Sequence, residues 1–337
     1  MISIFVISAG TLLALILPMW IYPVLKRLGV VDIPNERSSH LVPTVRGMGA
    51  ALAIAACITT AVLVGINSYS KDYGNVPALA FVAALAAALG FVEDLKGIRV
   101  TKRAGFQLLI GTAFGVFVSW ATGTAWIWVP PVALAVAAYI NVANFMDGIN
   151  GISGLHAVVA GTFYAVLGVV TDRLWMTHLG LIAAGVFLAF LPWNLSGRRV
   201  FLGDVGSYFL GSWIAGLAIL AVASGLNPLL ALGPTVIYLA DTGSTLFRRM
   251  HRGERWYEAH RSHVYQQLTS HGRSHLAVAL SVSGFSVLTG IVSFLALLPT
   301  WVASVGSLLL MVMIAAVYLG LPKIFSTSRD KSLGATA

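Results

Sequence analysis

The stretch SIFVISAGTLLALILPMWIYPVL, Ser3 to Leu25, runs without a single charge and is closed by Lys26 and Arg27. A bilayer core takes about 20 apolar residues in a helix, so the stretch is long enough to span one. No basic residue precedes it, the reverse of a secretory signal, so it is expected to stay in place with its N-terminus outside. Windows of similar length recur near 48–66, 76–92, 104–122, 129–145, 152–170, 177–194, 207–224, 229–247, 275–298 and 301–322. Eleven spans are therefore expected, with the C-terminus cytoplasmic.

Composition agrees. With 58% hydrophobic and 10% charged residues and a mean hydropathy of +0.87, the chain is too apolar for a wholly water-facing surface. Alternating sides from the first span places 19 of the 21 Lys and Arg on the inner side and only Lys71 and Arg173 outside. The formal charge of +9 is thus a cytoplasmic property, serving orientation or a basic rim for anionic lipid and phosphates. No separate basic domain exists to hold a nucleic acid. The single cysteine, Cys57, lies inside the second span and reads as a packing residue. The longest polar segment, roughly 248–274, is too short to fold alone. Residues 1–337 therefore read as one all-α, polytopic integral membrane domain.

Ten of the twelve Asp and Glu also fall on the inner side, which orientation does not require. Glu93, Asp94, Asp147, Asp204 and Asp241 lie at or near the inner ends of spans, where carboxylates are costly unless paired, hydrated or metal-bound. Five on one face suggest a cation site open to the cytoplasm. With Asp and Asn oxygens as ligands and no Cys cluster or zinc-spaced His pair beside them, Mg²⁺ is the fitting ion and Mn²⁺ a substitute.

The segment NVANFMDGINGISG, Asn141 to Gly154, is the most polar of these ends. Asn141, Asn144 and Asp147 lie at i, i+3 and i+6, so on a helix they point the same general way. Gly148, Asn150, Gly151 and Gly154 then form a tight turn that lets backbone amides approach a ligand, or merely caps two helices. In FLGDVGSYFLG, Phe201 to Gly211, Asp204 opens a span, where the helix dipole favours phosphate or a metal-bridged anion. It could equally serve as a cap. GFVEDLKGIRVTKR, Gly90 to Arg103, joins two carboxylates to four basic residues. In HRSH, His260 and His263 share one helical face with Arg261 between them, a cluster suited to phosphate.

These residues resemble the polyprenyl-phosphate N-acetylhexosamine-1-phosphate transferases, relatives of the muramoyl-pentapeptide translocase. Five ordered inner motifs carry the likeness through nearly the whole chain: DIPNERSSH…RGMG (Asp32 to Gly49), EDLKG, NVANFMDGINGI, WN…FLGDVGS (Trp193 to Ser207) and HRSHVYQ. The HRSH form is most similar to the branch that starts O-antigen or related chains on undecaprenyl phosphate. The resemblance implies a bacterial inner-membrane enzyme that moves an N-acetylhexosamine-1-phosphate, or a 6-deoxy relative, from a UDP-sugar to undecaprenyl phosphate and releases UMP. A homodimer is compatible with it.

By the same resemblance Asn144 and Asp204 hold Mg²⁺ on the diphosphate, Asp94 and Glu93 are catalytic alongside Asp204, and Gly148 and Asn150 contact uracil. Asn194 is a nucleotide-sugar contact, Lys102 or Arg103 binds diphosphate, and His260, Arg261 and His263 bind phosphate. Asp147 lines the same pocket. The chain departs from the family in carrying Glu93 where an Asp is usual, GMG in place of a glycine run, and Gly197-Arg198 in place of Pro-Ala. Asp241, in LADTGS, is expected to support the site rather than react.

A phosphomonoester has its second pKa near 6, so the lipid phosphate needs little deprotonation before attack. Direct in-line displacement at the β-phosphorus is expected, and a two-step route through an aspartyl-phosphate stays open. The competing class is a transporter or flippase for a phosphorylated or lipid-linked anion. Such proteins show repeated halves and broken helices near mid-membrane, whereas here the polar groups gather at one face.

Overall fold

The computed structural model describes residues 1–34, 42–196, 200–254 and 262–334. The expected His260 and Arg261, and the departures at Gly197 and Arg198, lie outside them. Thirteen α-helices are described: α1 Ile2–Arg27, α2 Gly49–Ile66, α3 Val76–Lys96, α4 Val100–Thr122, α5 Val129–Met146, α6 Ile152–Val170, α7 Leu174–Leu195, α8 Gly203–Ala223, α9 Pro228–Leu232, α10 Val236–His251, α11 Val264–Ser270, α12 His275–Ser293 and α13 Trp301–Gly334. The strands among the described residues are the two-residue pair β1 (Val31–Asp32) and β2 (Thr44–Val45), antiparallel with Val31 opposite Val45. An all-α membrane protein is what lipid demands, since a helix satisfies its own backbone where no water is available.

Among the described residues, ten helices are long and apolar enough to cross a membrane. The eleventh expected span, 229–247, is broken. Gly233 and Pro234 sit in a 3₁₀ turn, Gly233–Thr235, and Pro234 has no N–H to continue the helical ladder. The run is thereby divided into α9 and α10, each shorter than a full crossing. Together they still traverse the bundle. Asn227, just before α9, donates through Nδ2 to Ser304 Oγ at the start of α13 (3.0 Å). Beyond α10, Tyr265 of α11 donates to the Phe145 carbonyl at the opposite end, where α5 finishes (2.9 Å).

At the centre of the bundle lies α8, with 89% of its apolar window buried, against 22% for α1 and α13 at the lipid-facing margin. Between lipid-bathed helices there is little hydrophobic drive, so close contact depends on small residues. A Cβ on Gly49 would lie 2.1 Å from Gly206 Cα, and one on Gly90 would lie 2.3 Å from the Asp204 carbonyl oxygen. The first turn of α8 is thus pressed between α2 and α3 backbone to backbone. Gly90→Ala is expected to cost about 1–3 kcal/mol of stability by overpacking. It should also lower activity, because Asp204 sits in the displaced turn. A thermal-unfolding midpoint and turnover both equal to wild type would show the turn to be less tightly held.

Candidate active site

The segment Thr44–Gly49 is zipped onto the start of α8. Phe201 N–H donates to the Val45 carbonyl (2.9 Å), Met48 N–H to that of Phe201 (3.1 Å) and Gly49 N–H to that of Leu202 (2.8 Å). The chain then turns at Gly203, whose φ of +75° suits glycine alone among common residues. A Cβ there would meet Gly47 N at 2.5 Å and Asp94 Oδ2 at 2.6 Å. Two distant motifs, RGMG and FLGD, therefore meet because both lack side chains at the contact.

Into this corner α3 delivers Asp94, only 4% exposed. Its Oδ2 accepts from Val205 N–H in the first turn of α8 (3.0 Å). Arg46 holds it from the other side, with Nη2 donating to the Asp94 carbonyl (2.9 Å) and Nε 3.5 Å from Oδ1. At the head of α8 the Asp94 carboxylate satisfies an N–H that no intrahelical carbonyl can reach.

Asp204 lies one residue into the same turn. Its Oδ1 accepts from Asn144 Nδ2 at 2.5 Å, and the same nitrogen donates to Ser207 Oγ at 3.1 Å. Glu93 pairs with Arg103 of α4 at 3.4 Å, both side chains mostly buried. Lys102 is exposed, so Arg103 is the basic residue brought to the acids. Two buried polar atoms here have no partner, Glu93 Oε2 and, one turn beyond Asp204, Tyr208 Oη, while Asp94 Oδ1 and Arg46 Nε have only their 3.5 Å ion pair. An orphaned buried polar group costs about 1–3 kcal/mol, so their concentration at the head of α8 marks a place where a polar ligand belongs. Arg46 and Tyr208 escape a reading of spacing. Arg46 stands beside the glycines of RGMG, and Tyr208 is recognisable only as the residue four after Asp204.

Among the described residues no three His, Cys, Asp or Glu side chains converge tightly enough to hold a metal ion unaided. The donor set nevertheless suits a hard divalent cation shared with phosphate oxygens: the Asp204 carboxylate, the adjacent Asn144 amide and buried carboxylate oxygens without donors. Asn144 presents its nitrogen to Asp204, which leaves Oδ1 as its oxygen donor.

The turn after α5 is built by other contacts. Asp147 is half-buried and accepts from Ser153 Oγ at 2.6 Å. Burial first, and then the negative charges of Asp204 and Asp94, push its pKa up to about 8 against the opposing Ser153 bond. A carboxyl raised in the fold from 3.8 is stabilising while protonated, and that contribution fades as pH climbs from about 4 through about 8. Asp147→Asn keeps a partner for Ser153 without the charge. Its thermal midpoint should gain on wild type as pH rises from 6 to 9, by on the order of 2 °C. A pH-independent gap would show that Asp147 ionises freely.

Gly148 is exposed, and a Cβ on it would lie 2.1 Å from Tyr265 Oη. Asn150 is half-buried, with its N–H 3.4 Å from His275 Nδ1. Gly151, at φ +88°, donates its N–H to Asn194 Oδ1 (2.5 Å), while Asn194 Nδ2 donates to the Val200 carbonyl (2.8 Å). Both ends of the Asn194 amide are thus engaged by backbone. It ties the Gly151 turn to the approach to α8. Asn141 leaves the group as well: its Nδ2 donates to Gln107 Oε1 (2.6 Å) and the Ala137 carbonyl (2.8 Å), toward α4. Asn144 and Asp147 are the two of that trio gathered at the acids.

His263 is buried, with Nδ1 3.1 Å from Asp241 Oδ1 and its ring 6.4 Å from that of Phe145, the neighbour of Asn144. His263, the last residue of HRSH, is therefore carried to the same end of α5. A mainly apolar groove of about 650 Å³ lies between α4, α5, α8, α9 and α10, reaching from Tyr139 and Leu239 toward Trp128, Val222 and Pro228 at the opposite ends of these helices.

Four motifs far apart in sequence are thus joined at one end of a helical bundle, with buried carboxylates and two arginines. A profile for glycosyl transferase family 4 matches residues 76–222. The chain is 30% identical over 301 residues to the undecaprenyl-phosphate alpha-N-acetylglucosaminyl 1-phosphate transferase of Yersinia pestis, covering 82% of this chain and 80% of that protein. It is 28% identical to the decaprenyl-phosphate N-acetylglucosaminephosphotransferase of Mycobacterium tuberculosis (80% and 75% covered). To the Escherichia coli K12 undecaprenyl-phosphate alpha-N-acetylglucosaminyl 1-phosphate transferase it is 27% identical (83% and 81%). The chain belongs to this family of sugar-1-phosphate transferases, the family of the phospho-MurNAc-pentapeptide translocase.

Proposed function

We propose that the protein transfers an N-acetylhexosamine-1-phosphate, or a 6-deoxy relative, from a UDP-sugar to undecaprenyl phosphate, releasing UMP and starting O-antigen or a related surface polysaccharide. The observation that carries this reading is the meeting of Asp94, Glu93, Asp204 and Asn144 at the head of α8. The acidic end is also the basic end, and 19 of 21 Lys and Arg argue that it faces the cytoplasm of a bacterial inner membrane. UDP-sugars would be available there.

In this reading a lipid-phosphate oxygen attacks the β-phosphorus in line. The bond from that phosphorus to the bridging oxygen breaks, and UMP leaves with the electron pair. Arg103 and Arg46 bind and orient the phosphates with their fixed guanidinium forks. Asp204 and the Asn144 amide oxygen would hold Mg²⁺, or Mn²⁺ in its place, which when bound would neutralise charge on the diphosphate. Asp94 keeps the first turn of α8 in register, so that Asp204 meets the donor correctly. Glu93 sets Arg103. His263 contacts phosphate from the side of α11, and Asp147 lines the pocket. A strong general base is not required, because the phosphomonoester is already largely dianionic.

The test is UMP release by detergent-solubilised protein with undecaprenyl phosphate, run across UDP-N-acetylglucosamine, UDP-N-acetylgalactosamine and their 6-deoxy relatives. Release that requires the lipid phosphate is expected with at least one donor. Binding without release across all of them would favour a transporter.

A further inference from the structure

One buried carboxylate takes no part in this chemistry. Asp241, on α10, is wholly buried, yet each of its oxygens is met by donors from other elements. Oδ1 faces His263 Nδ1 (3.1 Å) and accepts from Val264 N–H (3.0 Å). Oδ2 accepts from Tyr265 N–H (3.4 Å) and from Tyr318 Oη of α13 (2.7 Å). No acid lies in the first turn of α11 itself. Asp241 supplies one from a neighbouring helix, to the free N–H groups where negative charge is favoured.

The same contacts reach the end of α5. Tyr265, whose backbone Asp241 holds, donates its hydroxyl to the Phe145 carbonyl (2.9 Å) and rests against Gly148, where any Cβ would collide with it. Its ring lies nearly parallel to that of His263, 5.7 Å away. One carboxylate therefore sets the His263 ring, the start of α11 and, through Tyr265, the turn adjoining Asn144. The His263 side chain also accepts from the Gln266 N–H in a capping box, so Asp241 and the first turn of α11 together fix where the ring stands.

We infer that Asp241 is a positioning residue for the transfer reaction, acting through His263 and the α11–α5 contact. The inference rests on the reading of His263 as a phosphate contact. A double-mutant cycle on the full-length protein tests it, with Asp241→Asn made in the wild-type and the His263→Gln backgrounds. UMP release is followed with UDP-N-acetylglucosamine, or the donor found active, and undecaprenyl phosphate. Protection from thermal unfolding by undecaprenyl phosphate gives its affinity in every variant, so the cycle can be read even where turnover is lost.

If Asp241 works through the ring, Asp241→Asn lowers kcat/KM, or lipid-phosphate affinity, by about tenfold in the wild-type background and by less than about threefold once His263 is replaced. Tyr318→Phe loosens the far oxygen without touching His263 and should stay within about twofold of wild type. Equal losses in both backgrounds, or a Tyr318→Phe variant as impaired as Asp241→Asn, would overturn the inference and leave Asp241 a device of the fold. Failure of the underlying reading has its own signature: His263→Gln alone would match wild type in turnover and lipid-phosphate affinity, removing the residue through which Asp241 acts.

Discussion

Asp204→Asn is expected to lose on the order of 10² to 10⁴ in turnover, several kcal/mol of transition-state stabilisation, while remaining folded. Asn keeps the size of Asp and an oxygen for Asn144 Nδ2, which now lies 2.5 Å from Oδ1. It removes the negative charge that a divalent cation on the diphosphate would need. Asp204 does not cap α8, whose N-cap is Leu202; the alternative is that it only holds Asn144 in place. An amide oxygen can accept that bond too, so the variant would then be nearly fully active. Purified wild type and variant of equal thermal stability, titrated with Mg²⁺ during UMP release, separate the two. Near-wild-type turnover with an unshifted Mg²⁺ requirement would take Asp204 out of the proposed metal site.

At Asp94 and Glu93 the expected effects differ because their surroundings differ. Asp94 is buried, holds Val205 N–H and is flanked by Arg46. In Asp94→Asn one oxygen can still accept from Val205, but the amide nitrogen then faces the Arg46 guanidinium, donor against donor. The turn bearing Asp204 shifts, and a misplacement of about 1 Å can cost roughly 10²-fold. Glu93 instead shares a 3.4 Å contact with Arg103 and leaves its other oxygen without a partner. Glu93→Gln should cost about tenfold or less, because Arg103 keeps an acceptor. Parallel kcat and KM measurements on the two variants check this order. An inactive Glu93→Gln beside a largely active Asp94→Asn would reverse it.

Which parts of this were legible in the sequence follows from range. The spans were visible because twenty apolar residues are a local signal, and the asymmetry of Lys and Arg needs only counting. The run 229–247 has a span's length, but the 3₁₀ turn at Gly233 and Pro234 divides it, and the polar Asp241, Thr242 and Thr245 are buried inward. The acidic motifs were recognisable one at a time, yet their division of labour was not. Asp94 reaches Val205 across 111 positions, and Asn194 reaches Gly151 across 43. Helical spacing places a side chain on a face without saying which donor waits there. Asn141 shows the limit: it shares a register with Asn144 and Asp147 but is taken up by Gln107. Asp241 could be assigned to support by its motif, though not that it would hold His263.

The central claim is that this bundle joins a sugar phosphate to a lipid phosphate. Mass spectrometry of the lipid formed by purified protein from undecaprenyl phosphate and a UDP-N-acetylhexosamine tests it most directly. The account predicts an undecaprenyl-diphosphate-linked sugar accumulating in step with UMP, and little or none with Asp204→Asn. Undecaprenyl phosphate recovered unchanged by active-donor screening, from folded protein supplied with Mg²⁺, would contradict it.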